Sequence, residues 1–90
     1  MSEVVVYSSR RCGFCVRAKK LLDEQDIPFR EIDISDDPEA RLALIQRSGG
    51  QRTVPQIFIG SEHVGGFMEL LALQRSGDLE PLLESQGIEF

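Results

Sequence analysis

Ninety residues give room for one domain, spanning 1–90, built from several short elements around a shared core. With 41% hydrophobic and 28% charged residues, the composition is that of an ordinary folded chain and excludes a disordered one. Ten Lys and Arg against fifteen Asp and Glu leave a net charge of −5, which excludes the broad positive face that nucleic acid or an anionic membrane would require.

Val4-Val5-Val6-Tyr7 is a continuous β-branched and aromatic run and reads as a strand buried on both faces. Ser8 to Arg11 is a polar break. A helix is predicted from about Gly13 to Gln25, with Cys15, Ala18 and Leu22 on one apolar stripe, and Asp26-Ile27-Pro28 ends it. Phe29 to Ile34 alternates apolar and charged residues, the period of a strand. Asp37 then caps a second helix with Pro38 in its first turn, Leu42 and Ile45 pointing inward, and Gly49-Gly50 as its stop. Gln56–Ile59 and Glu62–Gly65 flank Gly60-Ser61, a hairpin signal. A helix from about Phe67 to Arg75 and a short one opening at Asp78 complete the chain. The βαβ start makes the first two strands parallel with a right-handed crossover. The hairpin adds antiparallel neighbours, so the expected architecture is α/β: a small mixed sheet with helices on its faces.

No apolar run approaches the length of a membrane span, and the N-terminus lacks the basic and apolar regions of a signal peptide, so the cytosol is the expected compartment. Thiols there are kept reduced, and a disulfide between two cysteines would be transient and chemical rather than a staple.

Cys12-Gly13-Phe14-Cys15 sits after a buried strand and at the start of a helix. A cysteine at a helix N-terminus faces unsatisfied N–H groups and the positive end of the macrodipole. Such sites lower a thiol pKa from about 8.5 to roughly 3.5–7.5. Between Val4 and Leu22 there is no acidic residue, whereas Arg10, Arg11, Arg17, Lys19 and Lys20, half of the ten cations, fall there. Arg10 and Arg11 are candidates for lowering the pKa further; a solvated basic helix face is the plain alternative. Cys12 at the exposed cap is the expected nucleophile, and Cys15 on the core stripe the resolving thiol. Zinc would need four ligands, and His63 is the sole addition the chain offers among Cys and His; haem attachment would need His where Val16 stands. Thr53-Val54-Pro55 precedes a strand. If the Val54–Pro55 bond is cis, the Val54 backbone turns outward towards an extended peptide. Gly65-Gly66 before a helix is either a flexible turn or a place where missing side chains open helix amides to a carboxylate.

CGFC after VVVYS, then TVPQIFI, then EHVGGF, in this order and spacing, resemble the glutaredoxins over nearly the whole chain, closing helices included. The resemblance implies a thioredoxin-like fold with strand order 2-1-3-4, βαβαββα plus a short C-terminal helix. It implies a glutathione-dependent disulfide oxidoreductase acting on protein–glutathione mixed disulfides and protein disulfides. By the same resemblance Cys12 forms the mixed disulfide with glutathione and Cys15 resolves it. Val54, beside cis-Pro55 and Thr53, pairs with the glutathione backbone; Phe14 walls the groove; Gly66 and Phe67 present amides to the γ-glutamyl carboxylate; and Gly65 and Met68 flank them in the glutathione-binding set. Arg52 is the candidate for the glycyl carboxylate.

Three positions depart from the family pattern. Met68 stands where an acid usually meets the glutathione amino group, with Glu69 next to it. Ser9 stands where a basic residue usually precedes the nucleophile. Gly13 replaces the proline of CPYC and is shared with CGFS members, which bind iron–sulfur clusters. That glycine raises an alternative, a [2Fe-2S] carrier in which two chains each give Cys12 and hold one glutathione. Otherwise a monomer is expected, with no nucleic-acid or membrane partner.

Overall fold

The computed structural model describes residues 2–90. Four strands form one sheet: β1 (Val4–Ser8), β2 (Arg30–Asp33), β3 (Gln56–Ile59) and β4 (Glu62–Gly65), in the order β2-β1-β3-β4. Four helices join them: α1 (Gly13–Glu24), α2 (Pro38–Arg47), α3 (Phe67–Ser76) and α4 (Leu79–Ser85). β1 runs parallel to β2, with Val5 opposite Arg30 and Ser8 opposite Asp33. It runs antiparallel to β3, with Val4 opposite Ile59 and Tyr7 opposite Gln56. β3 and β4 close the hairpin, and a register shift there sets Phe58 against His63 and Ile57 against Gly65. The expected architecture and strand order are those observed.

Both faces of the central strands are covered. Val4, Val6, Ile57 and Ile59 point to one side and pack with Ala18 and Leu22 of α1, Leu70 of α3, and Leu79 and Leu83 of α4. Val5, Tyr7 and Phe58 point to the other and pack with Ile34 and with Leu44 of α2. This double covering is why all five residues of β1 and all four of β3 are buried, whereas edge strands β2 and β4 are largely exposed.

Two details differ from the sequence reading. The first helix stops at Glu24, because Asp26 takes a left-handed conformation (φ 57°) and the Ile27 N–H donates back to the Leu22 carbonyl at 2.9 Å, ending the helix before Pro28 can act. In the second helix Leu44, not Leu42, is the buried leucine; Leu42 is 55% exposed and Ile45 half-buried. The reason is geometric. A ten-residue helix covering the smaller cluster touches the sheet through Ala40 and Leu44, an i, i+4 pair, and Leu42 is turned away. Its start is as expected: the Asp37 carboxylate accepts from the Ala40 N–H at 3.0 Å, with Pro38 in the first turn.

Candidate active site

The C-terminal end of β1 and the N-terminal end of β3 lie side by side because the two strands are antiparallel neighbours. The segment leaving β1 therefore meets the segment entering β3. After Ser8 the chain reverses through Arg11, held at φ 60°, and Cys12 in extended conformation becomes the N-cap of α1. The Cys15 N–H donates to Cys12 Sγ at 3.1 Å, so the cap is made by sulfur where Ser or Asp would ordinarily supply oxygen. Cys12 is half-buried at the surface, Cys15 is buried, and a disulfide joins them. From the β3 side, the cis Val54–Pro55 peptide brings the Val54 carbonyl oxygen to 3.7 Å from Cys12 Sγ, a van der Waals contact in the oxidised state, which has no S–H to donate.

A groove with a cavity of about 440 Å³ opens beside this pair, lined by Phe14, Thr53, Val54, Pro55, Gly65, Gly66 and Met68, together with Gln51, Gln56, His63 and Glu69. Its rim is apolar: Phe14 is 53% and Met68 60% exposed, and the Phe14 ring lies 6.0 Å from that of Phe67. The Arg17 guanidinium sits 5.3 Å from the Phe14 ring centroid, close enough for a cation–π contact. Arg52 is exposed and no ion pair ties it among the described residues; its neighbour Gln51 is the one that lines the groove.

The Gly65-Gly66 turn has a structural reason of its own. Gly65 adopts φ 118°, and a Cβ there would come within 3.0 Å of Glu69 Oε1. The space is used by that carboxylate, which accepts from the Gly66 N–H at 2.8 Å and so caps α3 from its third position. The Gly66 amide, expected to face a ligand carboxylate, is thus already engaged within the chain. The amides of Phe67 and Met68 follow it in the first turn, where no intrahelical acceptor exists.

The basic stretch looks different in space. The Arg10 guanidinium pairs with Asp36 at 2.7 Å, and its backbone N–H donates to the Ser35 hydroxyl. Lys19 pairs with Glu31 at 2.8 Å, and Ser8 donates to the same carboxylate oxygen at 2.5 Å. The Lys19 ammonium, with the Ser8 hydroxyl, holds the Glu31 carboxyl below the usual glutamate range. Two of the five cations near the cysteines are therefore met by acids from β2 and the loop after it. Arg11 is exposed.

Sequence comparison matches residues 4–64 to the glutaredoxin family model, with the site's cysteines and cis-proline inside that span. The chain belongs to the glutaredoxin family. It is 46% identical over 85 residues to a glutaredoxin of Pseudomonas aeruginosa, covering 94% of this chain and all of that one. It is 43% identical over 84 residues to glutaredoxin 3 of Escherichia coli K12, covering 93% and 100% respectively. Among solved structures it superposes on a buckwheat glutaredoxin–glutathione complex with a TM-score of 0.85 at 36% identity, covering 99% of this chain and 83% of that one. The fold is thioredoxin-like, and the protein is a thiol–disulfide oxidoreductase.

A [2Fe-2S] cluster takes four protein or external sulfur ligands. One chain presents at most Cys12, since Cys15 is buried, so a cluster would need a second copy and two outside thiols. No helix among the described residues is long and apolar enough to cross a membrane. Sequence reasoning did not single out Gln51, Gln56 or His63 as groove residues, nor Arg17 as a partner of Phe14. The one signal available was the strand period, which sets Gln56 and Phe58 on one face.

Proposed function

We propose that this chain uses glutathione to reduce protein–glutathione mixed disulfides and protein disulfides, with Cys12 as the attacking thiolate. The observation that supports this best is the Cys15 N–H aimed at Cys12 Sγ at the mouth of a peptide-sized groove. After reduction, that amide and the amides around it stabilise negative charge on sulfur. Cys12 attacks the glutathione sulfur of the mixed disulfide; the protein thiolate leaves and takes a proton from solvent. The Cys12–glutathione disulfide is then attacked at its glutathione sulfur by a second glutathione thiolate, which releases oxidised glutathione and the Cys12 thiolate. With a protein disulfide, Cys12 breaks the substrate S–S bond to form a mixed disulfide, and the Cys15 thiolate attacks Cys12 Sγ and displaces the second substrate thiolate. Both leaving sulfurs take protons from solvent, and two glutathione molecules then reduce the Cys12–Cys15 bond and leave as oxidised glutathione.

In this reading the Val54 backbone pairs with the glutathione cysteine, and Phe14 and Pro55 wall it. Arg52 and Thr53 serve the glycyl end, and the Phe67 and Met68 amides the γ-glutamyl carboxylate. The enzyme works as a monomer in a reducing cytoplasm where glutathione is plentiful. Cys12→Ser and Cys15→Ser test the roles. Cys12→Ser loses all glutathione-dependent turnover, whereas Cys15→Ser keeps deglutathionylation and loses reduction of protein disulfides. Activity on glutathione adducts in Cys12→Ser, with none in Cys15→Ser, inverts the assignment.

A further inference from the structure

Gln56 is 5% exposed, and its amide is the one polar group of a side chain otherwise enclosed by the sheet and the groove wall. A buried amide needs partners for both ends. The structure provides them on opposite sides: Gln56 Oε1 lies 2.7 Å from His63 Nε2, and Gln56 Nε2 lies 3.3 Å from Thr53 Oγ1. All three residues line the cavity beside Cys12. His63 is itself held in place, its ring stacked on Phe58 across the β3–β4 pair at 4.7 Å and 23°. Phe58 is held in turn by the Arg47 guanidinium at 4.3 Å.

We infer that His63 is a positioning residue that sets the polarity of this hydrogen-bond chain and so makes Thr53 a donor to an acceptor oxygen of the bound thiol-bearing peptide. An amide oxygen can only accept, so His63 must present Nε2–H to Gln56. The Gln56 amide group can then only donate towards Thr53, and the Thr53 hydroxyl accepts it. Its own proton is left free to turn into the groove. The opposite polarity needs His63 protonated at Nδ1 alone, with the amide turned over, and it consumes the Thr53 proton inside the wall. The orientation present therefore suits a ligand that offers an acceptor at this point, a carboxylate or peptide carbonyl of the thiol-bearing peptide. The inference rests on glutathione being that ligand, as proposed above.

Four variants and one NMR measurement separate this relay from the glutathione dependence it rests on. In steady-state assays Thr53→Val raises KM for glutathione about three- to tenfold, the loss of one hydrogen bond, with kcat unchanged. His63→Phe, which keeps the stack on Phe58 but has no donor, raises KM by a similar or smaller factor. The Thr53→Val/His63→Phe double variant is no worse than Thr53→Val alone, and His63→Gln, whose amide can donate, restores most of the affinity. Multiplicative effects in the double variant, or a His63→Phe enzyme with unaltered KM, overturn the relay while leaving glutathione dependence standing. If the wild type does not turn over glutathione, the function fails first. The relay is then read by ¹⁵N NMR of the His63 ring in the free oxidised protein: an Nε2–H ring, with the Gln56 side-chain amide shifted in His63→Phe, supports it, and an Nδ1–H ring overturns it.

Discussion

A disulfide sulfur is a weak acceptor, and the Cys15 N–H 3.1 Å from Cys12 Sγ gains most once the bond is reduced and the sulfur carries charge. The reduced Cys12 thiol is therefore expected to titrate well below both Cys15 and an ordinary thiol, read by pH-dependent alkylation. Arg10 is expected to contribute little by comparison. Arg10 is committed to Asp36, so Arg10→Ala should move the Cys12 midpoint by less than about 0.5 pH, the size of an exposed charge effect. A shift beyond one pH would mean that the guanidinium leaves Asp36 on reduction. Met68 poses the second test at this scale. Its exposed side chain lines the groove where only apolar contact is on offer. An aspartate there would face the glutathione ammonium at a solvated edge, and Met68→Asp should lower KM for glutathione about two- to fivefold. The gain should shrink in added salt. The neighbouring Glu69 carboxylate caps Gly66 through Oε1, and the expectation is that it does not also meet the ammonium. A large rise in KM for Glu69→Gln, with no gain from Met68→Asp, would show that it does.

Secondary structure was legible where local chemistry decides it: the β-branched run of β1, the Asp37-Pro38 start of α2 and the Gly60-Ser61 turn each carry a short-range cause. The inward face of α2 was not, because Leu42, Leu44 and Ile45 satisfy more than one stripe, and what selects among them is the small cluster of Val5, Tyr7 and Phe58 that the sheet presents. Leu44→Ala should accordingly cost about 2–5 kcal/mol in urea unfolding, and Leu42→Ala no more than about 0.5. Equal losses would mean that the helix packs through a different face. The cysteines, the cis-proline and the glycine pair could be found by motif. What surrounds them could not, since Glu31 and Asp36 reach the site region through strand pairing and loop return, and His63 through the β3–β4 hairpin, rather than through nearness in the chain. An acid-free stretch of sequence is no guarantee of an acid-free neighbourhood.

At the scale of the molecule these returning acids tie β2 and the loop after it to the segment around the cysteines and make stability depend on pH. The Lys19 and Ser8 contacts depress the Glu31 carboxyl; Ser35 does the same for Asp33, and Arg30 for Glu3. A depressed carboxyl binds fewer protons folded than unfolded. Its stabilisation is thus complete above the ordinary value, 4.5 for glutamate, and is lost as pH falls through the folded value. Urea midpoints should be flat from about pH 7 to 5 and fall steadily below that, with a shallower fall in Glu31→Gln. An equal acid slope in that variant would assign the loss elsewhere. The arrangement of the strands has one more effect. Cys12 and Val54 hang from β1 and β3, the two central strands, whereas Gly65, Gly66 and the first turn of α3 hang from β4, an edge. Edges open locally at lower cost than centres. The half of the groove proposed to hold the γ-glutamyl end is thus expected to loosen and reclose while the reacting sulfur and its opposing backbone stay in register, letting product depart without the reaction centre coming apart.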